Sequence, residues 1–289
     1  MRFGYDIKRS GNIHKSFVGM EGMSKTPQWK IYNVWHHRIF DGLASHVPKD
    51  RYPQLVFFGV NEDYPKEYNL EAGYNVLLEY DLPHYRPELQ KRGYCQTTCM
   101  YHCFANKLDD DLDFIGFMQY DINIPPGFFE RVEREMKLCQ DEGKVPVWGA
   151  LYLSLPETLR WCPGLCNNNK PKSALRHYNA FFGTNYTVDD IMQHPVASKK
   201  LAYIHTFVMP QDMFRRMMSW IAAYLDLLDA DEGKDYPAEM SPPEYLERCH
   251  GLFIALESMR LDNIVYLDMG VSHEQGFKNH VDNHGFWAN

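Results

Sequence analysis

Apolar residues along the chain fall into short continuous runs and longer stretches at helical spacing. The runs predict strands at Lys30–His37, Gln54–Val60, Tyr74–Tyr80, Phe114–Met118, Val145–Leu155, Lys200–Met209 and Asn263–Leu267. Helices are expected over Pro87–Leu108, Pro126–Glu142 and Val188–His194. In the Pro126–Glu142 helix, Val132, Met136 and Leu138 supply the apolar side. Pro210 opens a long helix whose Met213, Phe214, Met217, Met218, Ile221, Leu225 and Leu228 share one face. Ser241-Pro-Pro-Glu244 is a capping-box signature for a last helix running to about Met259. Strands alternating with helices predict an α/β fold with a central, mostly parallel sheet flanked by helices.

Residues 1–29 show no period and read as an irregular N-terminal arm. Residues 30–289 read as a single domain with two halves, 30–125 and 126–289. Residues 156–200 are expected to be loop-rich, the character of a lid or a ligand wall. Residues 229–241 read as an acidic, flexible loop.

Composition narrows the function. The 289 residues carry 30 basic and 38 acidic side chains, a net charge of -8. That balance argues against nucleic acid, which needs a concentrated basic face. The 19 Tyr and 17 Phe are compatible with carbohydrate stacking platforms and equally with a rich core. No apolar run reaches the length of about eighteen residues that a transmembrane helix needs. The first residues lack an apolar signal core, so a cytoplasmic protein is expected. The seven cysteines lack the tight pair spacing of a zinc site. Reduced, buried thiols are expected, with Cys95, Cys99 and Cys103 on one helix face.

The chemistry centres on Phe114-Ile-Gly-Phe-Met-Gln-Tyr-Asp121. An apolar strand that ends on a carboxylate delivers it to the carboxyl edge of a sheet, where open α/β sheets bind ligands. The bland alternative is that Asp121 only terminates a core strand. The motifs around it follow a recognisable order. Gly93-Tyr94-Cys95-Gln96-Thr97-Thr98 leads a helix before this strand. Ile204-His-Thr-Phe-Val-Met-Pro210 and its helix come after it, then Tyr245-Leu-Glu-Arg-Cys-His-Gly-Leu-Phe253. Over residues 30–270 this series resembles the capsular-polysaccharide type of glycosyltransferase of bacteria and large viruses. Two departures stand out. Gln96 replaces the usual Glu, and Gln119-Tyr120-Asp121 lacks the first acid of the Asp-x-Asp motif.

The resemblance implies a GT-A-like nucleotide-sugar-binding fold, with 30–125 the nucleotide-binding and 126–289 the acceptor-binding half, in a host cytoplasm if the chain is viral, and sugar transfer from a nucleotide diphosphate, UDP favoured, to a hydroxyl of a glycan acceptor. It implies Mn2+ or Mg2+ held by Asp121, with His273 as the second metal ligand; His273 also reads as a plain surface-loop histidine. Val34, Trp35, His36, Arg38 and Asn61 would line the nucleotide, with Arg92, Tyr94 and Gln96 meeting it from the helix and Gln119, Tyr120 and Asp121 from the strand end. Glu247 would be the base of an inverting reaction, beside Arg248. Asp212 and Glu239 are reserve bases. Glu247 and Arg248 read equally as a solvated helical pair. His205 and Thr206 face either the acceptor or the core. A non-catalytic carbohydrate- or protein-binding module is the competing function. A phosphoester hydrolase has no supporting motif.

Overall fold

A computed structural model of the protein describes residues 26–40, 42–230 and 235–273. Most of the expected arm, 1–25, and part of the expected acidic loop, 231–234, lie outside the described residues. Trp29, assigned to the arm, instead opens the first strand.

The expected α/β architecture is present. The main sheet contains β1 (Trp29–Trp35), β2 (Leu55–Gly59), β3 (Asn75–Leu78), β4 (Phe114–Gln119), β6 (Val145–Leu153), β7 (Leu201–Pro210) and β8 (Ile264–Asp268). Its order is β3-β2-β1-β4-β7-β6-β8. Every neighbouring pair is parallel except those of β7, which runs antiparallel to β4 and β6. Two strands were not anticipated: β5 (Ile122–Asn123) and β9 (Ser272–His273) pair separately.

Strand side chains alternate between two cores, as the pleat requires. Tyr32, Val34, Ile115 and Phe117 face one, with α2 (Gln96–Ala105), α7 (Gln211–Asp229) and α8 (Pro242–Arg260). Ile31, Trp35, Phe114 and Met118 face the other, with α3 (Phe128–Asp141). The central strand is apolar on both faces because both are covered. At its middle a Cβ on Gly116 would stand 2.7 Å from Val208 and 2.9 Å from Ile31, so β4 is wedged between its neighbours there.

Three expectations need correction. The helix predicted over Pro87–Leu108 is two, α1 (Pro87–Lys91) and α2, because Gly93 and Cys95 take positive φ of 71° and 46° between them. Residues 156–200 are more helical than expected: beside the expected helix, α6 (Val188–Gln193), they hold α4 (Leu155–Trp161) and α5 (Ala174–Phe182). Ser154 and Thr187 form capping boxes with Glu157 and Asp190, and Ser173 caps α5, so local signals start these helices. Leu138, placed on the apolar side of α3, is exposed; Phe129 and Cys139 take the buried face. The last two long helices match expectation: the apolar stripe of α7 is buried and the Ser241–Glu244 capping box forms.

Candidate functional site

The order of the sheet locates the site. From β1 the chain steps outward to β2 and β3, then returns to add β4 on the other side of β1. The carboxyl ends of β1 and β4 therefore flank a topological switch point, the crevice where open α/β sheets bind ligands.

The end of β4 is held from both sides. Asn33 Nδ2 of β1 donates to the Gln119 carbonyl at 2.9 Å, and the Gln119 N–H donates to Thr206 Oγ1 of β7 at 3.3 Å. With Gln119 bonded through side chains on both flanks, Tyr120 and Asp121 form the turn into β5. Asp121 is only 7% exposed. The His36 ring meets Tyr120 edge-on at 5.4 Å and Tyr64 at 5.9 Å, and Tyr120 lies 6.2 Å from Phe40. An aromatic wall thus stands at the carboxyl ends of β1 and β4. Burial, then the nearby Lys66 and His37, lower His36 to about 4, so its imidazole is neutral near pH 7.

Other expected nucleotide contacts are distributed unevenly. Val34 and Trp35 are buried in opposite cores and bring only backbone to this edge. Arg38 is exposed and its backbone bridges to Glu67. Asn61, with φ of 64°, donates its N–H to Glu79 at 2.8 Å. Gln96 is half-buried at the first turn of α2. Tyr94 and Arg92 both turn to Asp229 at the end of α7: Tyr94 donates its hydroxyl there, and Arg92 pairs at 3.7 Å. Those two therefore bind the segment between α1 and α2 to α7.

Glu79, which ends the β3 segment, is fully buried and organises the neighbouring loop. His102 Nε2 accepts the Arg86 N–H at 3.0 Å, so Nδ1 carries the proton and donates to Glu79 at 3.0 Å. Gln90 donates to the same carboxylate.

The expected catalytic pair lies in α8. Glu247 and Arg248 are 8% and 6% exposed, which overturns the solvated-pair alternative. Arg248 donates to Glu247, and its guanidinium covers the Tyr203 ring at 3.9 Å. Glu247 Oε2 lies 3.8 Å from Nδ1 of His205, whose Nε2 is 3.5 Å from the Thr97 hydroxyl. Burial, then His250 and Arg248, hold His205 well below its ordinary value. The contact with Glu247 is thus between a carboxylate and a neutral ring rather than an ion pair. His205, left between acceptor and core by its sequence, lies against the Glu247–Arg248 pair.

A divalent cation fits the Asp121 position in chemistry. A carboxylate is a hard oxygen donor of the kind Mn2+ and Mg2+ take. The β5–β9 pairing sets the backbone of His273 opposite Ile122, next to Asp121, although the two are far apart in sequence. Among the described residues no group of three or more His, Cys, Asp or Glu side chains could form a complete cage. A cation at Asp121 would therefore draw ligands from a bound diphosphate and water, as Mg2+ commonly does. All seven cysteines are free thiols, six of them buried. No described helix is long and apolar enough to cross a membrane.

No family model matches the chain, and no curated protein does. Solved structures similar to it include the following two. The WbbM bifunctional glycosyltransferase in its apo form is 15% identical with a TM-score of 0.45, over 85% of this chain and 45% of that one. This chain thus spans less than half of that protein's length. Glucosyl-3-phosphoglycerate synthase from Mycobacterium tuberculosis, solved with Mn2+, UDP-glucose and phosphoglyceric acid, is 10% identical with a TM-score of 0.41, over 86% of this chain and 72% of that one.

Proposed function

We propose that this chain is a metal-dependent glycosyltransferase that moves a sugar from a nucleotide-diphosphate donor, UDP-sugar favoured, to a hydroxyl of a glycan acceptor. The observation that carries this reading is the placement of Asp121, with the His36–Tyr64–Tyr120 wall, in the switch-point crevice between β1 and β4. The ordered motifs of the sequence support the same class.

In this reading the aromatic wall receives the nucleotide base, and Asp121, with His273 as second ligand, holds Mn2+ or Mg2+ against the diphosphate. A cation bound there supplies Lewis-acid stabilisation of the leaving phosphate oxygen. Glu247 accepts the acceptor's hydroxyl proton as that oxygen bonds to the anomeric carbon. The bond from that carbon to phosphate breaks on the opposite side, which inverts the centre and releases the nucleoside diphosphate. Arg248 fixes the orientation of the Glu247 carboxylate, and its stacking on Tyr203 fixes Arg248 in turn.

Calorimetry with UDP-, GDP- and TDP-sugars, each with and without Mn2+, tests the assignment. Binding of a UDP-sugar that depends on metal is expected, with the dependence abolished in Asp121→Ala. Failure of every nucleotide diphosphate to bind would overturn the enzyme reading. Donor binding without transfer to any glycan would assign the chain to the non-catalytic class instead.

A further inference from the structure

Lys66 belongs to no motif in the sequence, yet loops from two strands meet at its ammonium group. Nζ donates to the carbonyls of His36 at 3.0 Å, Asn61 at 2.5 Å and Tyr64 at 2.9 Å. An ammonium has three N–H groups, and three carbonyls receive them. His36 follows β1 and Asn61 follows β2, so this one side chain ties the carboxyl ends of two adjacent strands. The rings of Trp35 and Tyr80 stand 5.9 and 5.8 Å from Nζ.

The backbone at the same junction is closely laced. Val60 donates to the Trp35 carbonyl at 2.8 Å, Glu67 to His37 at 2.9 Å, and Ile39 back to Glu67 at 3.2 Å. Asn61 sits in the left-handed region at φ 64°, and its own Oδ1 accepts the Asp63 N–H at 3.2 Å, the local bond that lets an Asn adopt this turn. Its N–H goes to Glu79 and its carbonyl to Lys66, so partners on both sides hold that turn.

We infer that Lys66 is a positioning residue of the donor site: it clamps the ends of β1 and β2 so that the rings of His36 and Tyr64 stand as one wall for the nucleotide base. This rests on the nucleotide-sugar reading above. A base stacks best on rings that are already in place, because ordering them on binding subtracts from affinity.

The clamp is also sensitive to pH. Burial, opposed by Glu79 and Asp63, lowers Lys66 to about 8. Of the groups around it, Glu79 comes from the turn after β3, Asp63 from its own loop, and His36, neutral near pH 7, from the end of β1. The Tyr80 phenol, raised by burial, stays uncharged there. Loss of the proton leaves two N–H groups for three carbonyls and removes the charge that strengthens each bond. The sign for folding is opposite. The unfolded chain holds this proton more tightly, so its loss from the folded chain above about pH 8 takes no stability from the fold. Donor affinity therefore falls where the stability contribution of Lys66 does not.

The test is UDP binding with Mg2+ to the full chain, by calorimetry, in wild type, Lys66→Arg and Lys66→Met. Wild-type affinity is expected to fall about tenfold between about pH 7 and 9, while the arginine variant, charged throughout, stays flat. The methionine variant is expected to bind UDP about tenfold more weakly even near pH 7. Amide exchange at Ile39, Val60 and Glu67, read without UDP, should quicken in Lys66→Met. That measurement stands if the arginine variant does not fold. An unchanged pH dependence in Lys66→Arg, or unchanged UDP affinity and exchange in Lys66→Met, overturns the assignment alone. A wild type that binds no UDP overturns the parent reading, and the assignment with it.

Discussion

Gln119 shows how single residues build this site. Its carbonyl is taken by Asn33 and its N–H by Thr206, so the chain turns immediately after it and Asp121 stays at the crevice. Neither partner's bond could be read from sequence: Asn33 reads only as an interruption of the apolar run, and Thr206, within the Ile204–Pro210 motif, reads as facing either acceptor or core. Glu247 is the opposite case: its role as base was expected, and the structure adds its surroundings. The carboxylate is buried with Arg248 bonded to it and a neutral His205 at 3.8 Å. Glu247→Gln keeps the shape of the site but removes the proton acceptor. Transfer should fall by about 10²–10⁴-fold while UDP affinity stays within about threefold of wild type. Single-turnover transfer beside calorimetry reads both, and a fully active variant would move the base to another residue.

At the scale of elements, placement of α8 decides whether Glu247 reaches the sheet. The helix crosses β7 where Gly251 faces the Ala202 carbonyl; a Cβ there would lie 2.2 Å from that oxygen. A backbone oxygen cannot give way as a flexible side chain does. Gly251→Ala should therefore destabilise the protein by about 2 kcal/mol or more and shift α8, moving Glu247 and Arg248 with it. The urea midpoint measures the first effect and transfer activity the second. A variant as stable as wild type would mean that the helix–strand contact is looser than the structure has it. The break between α1 and α2 has similar consequences. By breaking the helix at Gly93 and Cys95, the chain sends Tyr94 to Asp229 of α7 instead of along a continuous helix face.

Across the whole molecule, burial holds several histidines neutral. His250 is lowered to about 3, and His177 and His36 to about 4, with desolvation the leading cause in each. The unfolded chain binds these protons near pH 6.5, the folded one only near 3 to 4. The stability they contribute is complete above about pH 6.5 and is lost as pH falls toward 4. Each group then contributes a slope of at most about 1.4 kcal/mol per pH unit. Urea midpoints from pH 7 to pH 4 should fall accordingly, and His250→Asn should flatten the slope. An unchanged slope would place the proton uptake on other groups.

The strands, the long helices and the apolar faces were legible in the sequence because they follow from local periodicity and capping. The continuous run of β4 announced a strand covered on both faces. Ser241 and Glu244 announced the start of α8, and the α7 stripe named its own buried positions. The same local signals were present at Ser154 and Ser173, where helices form in a stretch that reads as loop. The edge that Asp121 occupies was also legible, because a strand that stops on an acid points to it. What the sequence could not determine is which strand stands beside which. Only tertiary structure set β4 next to β1, made their ends a switch point, ran β7 antiparallel through the sheet, and laid β9 beside β5. Lys66 became a clamp for the same reason. Its three carbonyl partners lie in loops that meet only once β1 and β2 are paired, and no spacing along a single chain encodes a contact between backbones.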